Sequence, residues 1–325
     1  MSPVANHTAE ETQRAHPRLA ALVSRARGQA RSGTLPRIGL VYAGDALAVS
    51  AAAQILDAGI AQPVLLGPRT LLATAAEDAG VPLARFEVID TDERPAAAAE
   101  RACALARAGS LQALMKGSLH TDELMSAVVN RDTGLRTQHR ISHMFLFDLP
   151  RYPKLLALAD CVVNIAPDLK TKRDILGNAV ELLQQLGIAQ PKVGIVTAVE
   201  TVNPAIPATL DAQALVALAA QGTWPGAIVE GPFGFDNAIS AQAARTKKIQ
   251  GVVPGDADLL IMPDLNAGNM LYKSFNYIGG GECAGLVLGA RVPIVLTSRA
   301  DSLTSRIASV ALAVLAGAAQ ATTHD

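Results

Sequence analysis

The sequence predicts an α/β fold built on mostly parallel strands, and three features carry that expectation. Half of the 325 residues are hydrophobic while aromatics make up only 3%, so Ala, Val, Leu and Ile must fill the core. Such small side chains suit helices laid closely on a parallel sheet. From Arg37 onward, short apolar runs alternate with helix-length segments, a pattern that joins parallel strands through right-handed crossovers. Gly and Pro punctuate the junctions between these segments.

The elements are expected in the following order. Residues 1–36 form a polar lead-in with an amphipathic helix around Pro17 to Ala30, broken by Gly33 and Pro36. A strand is expected over Ile38–Tyr42, then a helix from Asp45 to Ala58 ending at Gly59. The strand Pro63–Gly67 and the helix Thr70–Ala79 follow, then the strand Phe86–Asp90 and the helix Pro95–Ala108, with Ala113–Met115 as another strand. In the middle of the chain, strands are expected over Ser142–Asp148, Asp160–Ile165, Lys192–Val196, Gly226–Glu230 and Leu259–Pro263. Helices are expected over Lys172–Leu186, Asp211–Ala220 and Gly281–Gly289. The strand Val292–Thr297 and the helix Leu303–Leu315 close the pattern. No flexible linker, repeat or low-complexity run separates two α/β lobes, so one is expected to be inserted in the other with a cleft between them. Residues 37–139 and 287–325 make the first domain and 140–286 the inserted one.

A formal net charge of −1 argues against bulk binding of nucleic acid or anionic membrane. A small polyanion needs only a local cluster of Arg and Lys. The three cysteines, Cys103, Cys161 and Cys283, form no CxxC pair, which excludes a disulfide framework and a zinc site and fits a reducing cytoplasm. Glu10, Glu11, Arg14 and Arg18 stand where a signal peptide has its apolar run, so export is not expected. Every long apolar stretch is interrupted well short of a membrane span.

The segment with most chemical content is Pro293-Ile-Val-Leu-Thr-Ser-Arg-Ala-Asp-Ser302. A buried strand ends there in hydroxyls, a guanidinium and a carboxylate just before a helix, and ligands of open α/β sheets bind beyond the carboxyl ends of strands. Thr297 and Ser298 can donate to an oxyanion, Arg299 can grip phosphate with two parallel hydrogen bonds, and the helix N-terminus adds amide donors. The plain alternative is a helix capped by Ser302 or Thr304 beside a solvated Arg299. In Pro263-Asp-Leu-Asn-Ala-Gly-Asn-Met-Leu-Tyr-Lys273, Gly268 permits close backbone approach, Asn269 offers donor and acceptor, and Lys273 adds charge one turn later. Lys116-Gly-Ser-Leu-His120 presents a cation and amides without the Gly spacing of a Walker loop, and His120 is as readily structural as functional. Asn164 and Asp236 mark two further strand ends. Asp236, Asp258 and Asp264 fit no metal loop, so turn capping is their better reading and no metal is expected. Gly279-Gly-Gly281 lacks the preceding strand of a dinucleotide site.

Together these segments resemble the phosphate acetyl/butyryl transferase family, from about Arg37 to about Ala316. The resemblance is carried by Leu114–Thr121, Ile165–Lys172, Thr197–Pro204, Glu230–Ser240, Gly255–Asp258, Met262–Lys273 and Pro293–Ser302, in the family's order. The wording is nearer the butyryl-type branch, including the module sometimes joined to an enoyl-CoA hydratase domain, for which the lead-in here is too short. The resemblance implies a two-lobed fold similar to the isocitrate/isopropylmalate dehydrogenases, dimeric through the inserted lobe. It also implies the reaction acyl-CoA + phosphate ⇌ acyl phosphate + CoA, with CoA as a substrate and no cofactor. By resemblance Ser298 and Arg299 are the catalytic pair, and Asn269 with Lys273 lies on the cleft wall. Two positions depart from the family. The acid found six positions after the motif Arg in the acetyl-type branch is Ser305 here, with Asp301 the nearest replacement as base; Asp301 can equally cap the helix or orient Arg299. An Arg found after the His-Thr segment in many relatives is Ser126, for which Arg131 or Arg136 can compensate. The rival readings are a non-catalytic CoA- or acyl-phosphate-binding protein and an NAD-dependent decarboxylating dehydrogenase. The second needs a cluster of Asp ligands that the sequence does not offer.

Overall fold

A computed structural model describes residues 16–31, 33–296 and 301–322. The chain divides into two compact units, Met1–Gln138 with Glu282–Asp325 and His139–Gly281. In the first unit, α1 (Pro17–Arg31) leads to β1 (Arg37–Val41), α2 (Ala46–Asp57), β2 (Gln62–Gly67) and α3 (Arg69–Ala79). There follow β3 (Glu87–Asp90), α4 (Pro95–Arg107), β4 (Ala113–Lys116) and α5 (Thr121–Val129). The second unit holds β5 (Ser142–Asp148), β6 (Leu156–Ala159), α6 (Leu169–Gln185), β7 (Lys192–Val196), α7 (Pro207–Ala220) and β8 (Ile228–Phe233). It continues through α8 (Phe235–Ile239), α9 (Ala241–Thr246), β9 (Leu259–Ile261) and α10 (Leu265–Tyr277). The chain then returns to the first unit as β10 (Glu282–Leu288), β11 (Ile294–Val295) and α11 (Leu303–Thr322).

The strand order within the first unit is β3-β2-β1-β4-β11-β10. All neighbours are parallel except β10, which runs against β11. Ile38, Leu40, Leu65, Leu66, Leu114 and Ile294 are completely buried, as both faces of a helix-covered parallel sheet require. The helices meet them with small residues: Ala52, Ala98, Ala99, Ala102 and Ala311 are likewise inaccessible. In the second unit the order is β5-β6-β9-β7-β8, parallel apart from the β5–β6 pair. The few aromatic residues gather here: Phe145 stacks on Tyr272 with ring centroids 4.2 Å apart, and Phe147 meets Phe275 edge-on at 5.2 Å. The α/β class with a mostly parallel, helix-flanked sheet is thus as the sequence predicts.

Strand β6 and the short helices α8 and α9 stand where no element is expected, and three further differences bear on the candidate residues. Asp160–Ile165 is no strand: β6 ends at Ala159, and the Asp160 carboxylate gathers the following amides into a turn. Gly281–Gly289 is no helix but strand β10, in which Cys283, Ala284, Leu286 and Val287 are all buried. A short, continuous apolar run reads equally as buried strand or helix, and length favours the strand. Helix α5 went unread, although Glu123 accepts the His120 amide at 2.8 Å, an N-terminal signature visible in Thr121-Asp-Glu. Since β10 belongs to the first unit, the border falls before Glu282 rather than after Leu286.

Register fixes which groups share an end of the first sheet. Val287 pairs with Ile294, and Ile294 with Leu114. Because β10 runs the other way, its first residue, Glu282, points to the end where β1 and β4 finish. The β10–β11 turn lies at the opposite end.

Candidate active site

At the carboxyl ends of β1 and β4, two loops are tied together by backbone. Gly117 N donates to Val41 O at 2.9 Å, and both Ser118 N and Ser118 Oγ donate to Tyr42 O at 2.9 Å. Gly44 N donates back to Ser118 Oγ at 3.2 Å. Gly117 has no room for a side chain, since a Cβ there would stand 2.5 Å from Tyr42 O and 2.6 Å from Val41 O. Asp45 caps α2 by accepting from Ala48 N at 2.8 Å. Lys116 reaches its own loop, with Nζ 3.3 Å from Gly117 O and 3.2 Å from Leu119 O, so its ammonium also braces the turn. His120 is an exposed residue at the start of α5.

The start of α11 adds a second polar cluster at this end. Thr297, Ser298 and Arg299 lie outside the described residues. Ser302 is the helix cap, accepting from Ser305 N at 3.0 Å. The Glu282 carboxylate bridges the first turn: one oxygen accepts from Ser302 Oγ at 2.7 Å and the other from Ser305 Oγ. Arg306 is only 6% exposed and donates from Nε to the Asp301 carbonyl at 3.3 Å. Burial pulls its guanidinium below the ordinary range, and the negative fields of Asp301 and Asp45 oppose that shift. Glu282 and Arg306 escaped the sequence reading because neither stands in a recognisable motif. Topology alone brings them to the strand ends.

Arg131 and Arg136 do not stand there. Both are exposed beyond the far end of α5, and Arg136 bridges to Ala290 in the β10–β11 turn, at the opposite end of the sheet. Arg306 shares an end with Lys116 and Asp45.

In the second unit Asp160 organises the residues singled out by sequence. Only 3% exposed, it accepts from Val162 N at 2.8 Å, Val163 N at 2.9 Å and Asn164 Nδ2 at 2.6 Å. Asn164 is itself buried, also donating to Ile141 O at 3.0 Å and accepting from Arg140 Nε at 3.3 Å, so its amide holds this turn together. A Cβ on Gly268 would lie 2.5 Å from Asp160 O, which lets α10 press directly on the turn. Asn269 Nδ2 donates to Cys161 O at 3.2 Å. Lys273 is exposed and makes no ion pair among the described residues. The imidazole of His143, on β5 beside Asp160, is pushed down to about 4 by burial, against the raising effect of the Asp160 charge, and is neutral at physiological pH.

Asp236 stands apart from this group, exposed in α8 and 3.4 Å from Lys247. Asp258 pairs with Lys154 at 2.6 Å and accepts from Lys192 N, while Asp264 caps α10 through Ala267 N at 3.0 Å. These three carboxylates are therefore capping and pairing groups, and no cluster of three or more His, Cys, Asp or Glu among the described residues is placed to hold a metal ion. The three cysteines are buried and in no disulfide, with burial raising Cys103 to about 11. No helix among the described residues is long and apolar enough to cross a membrane.

Comparison with known proteins gives a consistent picture. The family described as phosphate acetyl/butaryl transferase matches residues 96–314. A phosphate acetyltransferase of Rhizobium meliloti is 46% identical over 294 residues, 90% of this chain and 92% of that protein. A phosphate butyryltransferase of Clostridium acetobutylicum is 35% identical over 285 residues, 88% of this chain and 94% of that protein. The crystal structure of a branched-chain phosphotransacylase from Enterococcus faecalis V583 superposes with a TM-score of 0.77 at 28% identity, covering 87% of this chain and 99% of that one. With family likeness spanning both units, the segments that first suggested it, and the fold of a solved phosphotransacylase, this chain belongs to the phosphate acetyl/butyryl transferase family.

Proposed function

We propose that the chain is a phosphate acyltransferase that exchanges short acyl groups between CoA and inorganic phosphate, acyl-CoA + phosphate ⇌ acyl phosphate + CoA. The observation that carries this reading is the 46% identity, along 90% of the chain, to a phosphate acetyltransferase. The strand-end chemistry agrees with it. In the direction of acyl-CoA synthesis a thiol attacks a carbonyl already activated by phosphate. The tetrahedral oxyanion needs donors, and the departing phosphate needs cations. Ser298 is assigned the oxyanion and Arg299 the phosphate, with Arg306 as a second guanidinium and the α11 amides behind them. Asp301 acts with Arg306, whose side chain holds its carbonyl.

Lys116, Gly268, Asn269 and Lys273 are assigned to substrate contact, while Asn164 supports the turn on which Asn269 hangs. Neither a metal nor an organic cofactor is part of the mechanism, because Arg, Lys and helix amides supply the positive field. The architecture is that of the isocitrate/isopropylmalate dehydrogenases. The working form is a cytoplasmic homodimer joined mainly through residues 140–286, without nucleic-acid or membrane partners. Thiol release from acetyl-CoA and butyryl-CoA, with and without phosphate, tests the activity, and its dependence on acyl length fixes the preferred substrate. Light scattering at micromolar concentration tests the dimer.

A further inference from the structure

Thiol attack on an acyl phosphate needs a group to take the sulfur's proton, since an unperturbed thiol titrates near ~8.5 and is mostly protonated at neutral pH. Among the described residues, Asp45, Asp301 and Glu282 stand at the strand ends of the first unit, as do Asp122 and Glu123 in the first turn of α5, where Glu123 accepts from His120 N. Asp45 is engaged as the cap of α2. Asp301 stands beside the buried Arg306, whose Nε holds its backbone carbonyl at 3.3 Å and whose charge it faces. Glu282 is different. Its described partners are neutral donors: Ser302 Oγ on one oxygen, and Ser305 Oγ with the Cys283 amide, at 3.4 Å, on the other. It forms no ion pair among the described residues, and it is partly open to solvent at the head of β10. A carboxylate oxygen has two acceptor sites, so the one bound only by Ser302 Oγ keeps a site for a proton.

Resting on the acyltransfer reading above, we propose that Glu282 is the general base of the reaction, delivered from β10 to the first turn of α11, where Ser305 stands instead of an acid. The S–H proton passes to a Glu282 oxygen as the sulfur–carbon bond forms. The carbon–oxygen bond to phosphate then breaks, its electron pair leaving on the phosphate oxygen, and Glu282 returns its proton to that phosphate or to solvent. In the opposite direction the protonated Glu282 supplies the proton that the departing thiolate takes. Ser302 and Ser305 aim the carboxylate; they do not themselves move protons. Other charged groups at this end include Lys116, Asp45, Asp122, Glu123, Asp301 and Arg306, and no bond among the described residues joins any of them to the Glu282 side chain.

The test is the pH profile of acyl-CoA formation from acyl phosphate and CoA for wild type, Glu282→Gln, Glu282→Asp and Asp301→Asn, each checked for its denaturation midpoint. Glu282→Gln is expected to lose about 10²–10³-fold in turnover at neutral pH. The loss should shrink toward pH 9, as solvent ionises the thiol, while the KM for acyl phosphate changes little. Glu282→Asp should keep the wild-type shape of the profile at a lower rate, and Asp301→Asn should show a deficit independent of pH. A pH-independent deficit in Glu282→Gln, or rates close to wild type, overturns the assignment while leaving the acyltransfer reading intact. Should Glu282→Gln not fold, loss of the wild-type profile in a folded Glu282→Asp overturns it equally. Inactive wild-type protein overturns both.

Discussion

Replacing Asp160 by Asn exchanges one carboxylate oxygen for an amide group with almost no change in shape, which makes it a sharp probe of the second unit. One oxygen accepts from Val162 N at 2.8 Å and Val163 N at 2.9 Å; the other accepts from His143 N at 3.2 Å, Asn164 N at 3.3 Å and Asn164 Nδ2 at 2.6 Å. Whichever way the new amide turns, at least two buried or part-buried donors lose their acceptor and face an NH₂ group. Turning Asn164 over in response would forfeit its bonds to Ile141 O and Arg140 Nε. At about 1–3 kcal/mol for each buried polar group left unpaired, the loss is roughly 4 kcal/mol. Turnover should fall as well, since the carbonyl of Cys161 that holds Asn269 belongs to the same turn. Urea unfolding at pH 7 and a thiol-release assay measure the two effects. A loss under about 1 kcal/mol with normal turnover would refute the view that this carboxylate builds the turn.

Other perturbations separate the remaining parts of the account. Gly117→Ala forces a Cβ within 2.6 Å of two carbonyls, so it should cost about 2–3 kcal/mol and loosen both loops; an unchanged unfolding midpoint contradicts that packing. Burial holds His143 near 4 in the folded chain, below the ~6.5 of the unfolded one, so the unfolded state takes the proton first. Its contribution to stability is therefore complete above about pH 6.5 and lost as pH falls toward 4, at up to ~1.4 kcal/mol per pH unit. His143→Phe should flatten that slope relative to wild type, and identical slopes in the two proteins argue against it. Arg306→Met should raise the KM for phosphate by about 10–100-fold, the worth of one or two charged hydrogen bonds. A normal KM would remove Arg306 from the phosphate site.

How far the sequence could be read depended on whether a signal was local. Asp45 and Gly80 announced the beginning of α2 and the end of α3, because capping and a left-handed glycine are chemistry of single residues. Strand β10 was misread because Cys283–Leu288 is apolar throughout, with neither the period of a strand nor that of a helix. The run Asp160–Ile165 looked like a strand until the buried carboxylate at its head claimed the amides that would have formed a ladder. The candidate residues of each unit followed the same rule. Asn269 and Lys273 were legible as a strand-to-helix turn, and Lys116 as a strand end. Glu282 and Arg306 have no motif around them, and only the antiparallel course of β10 and the packing of α11 on β10 and β11 bring them to the strand ends. Arg131 and Arg136 show the converse, being close to Lys116 in sequence and at the other end of the sheet in space.

The most direct test of the central claim is the rate of CoA thiol release from acetyl-CoA and butyryl-CoA, with a chelator present, for wild type and Arg299→Ala. The account predicts release that depends on phosphate, matches acyl phosphate formed and persists under chelation. Arg299→Ala should lower it at least about 100-fold with no shift in denaturation midpoint. Thiol release that ignores phosphate, or equal rates in a folded Arg299→Ala protein, would contradict the account.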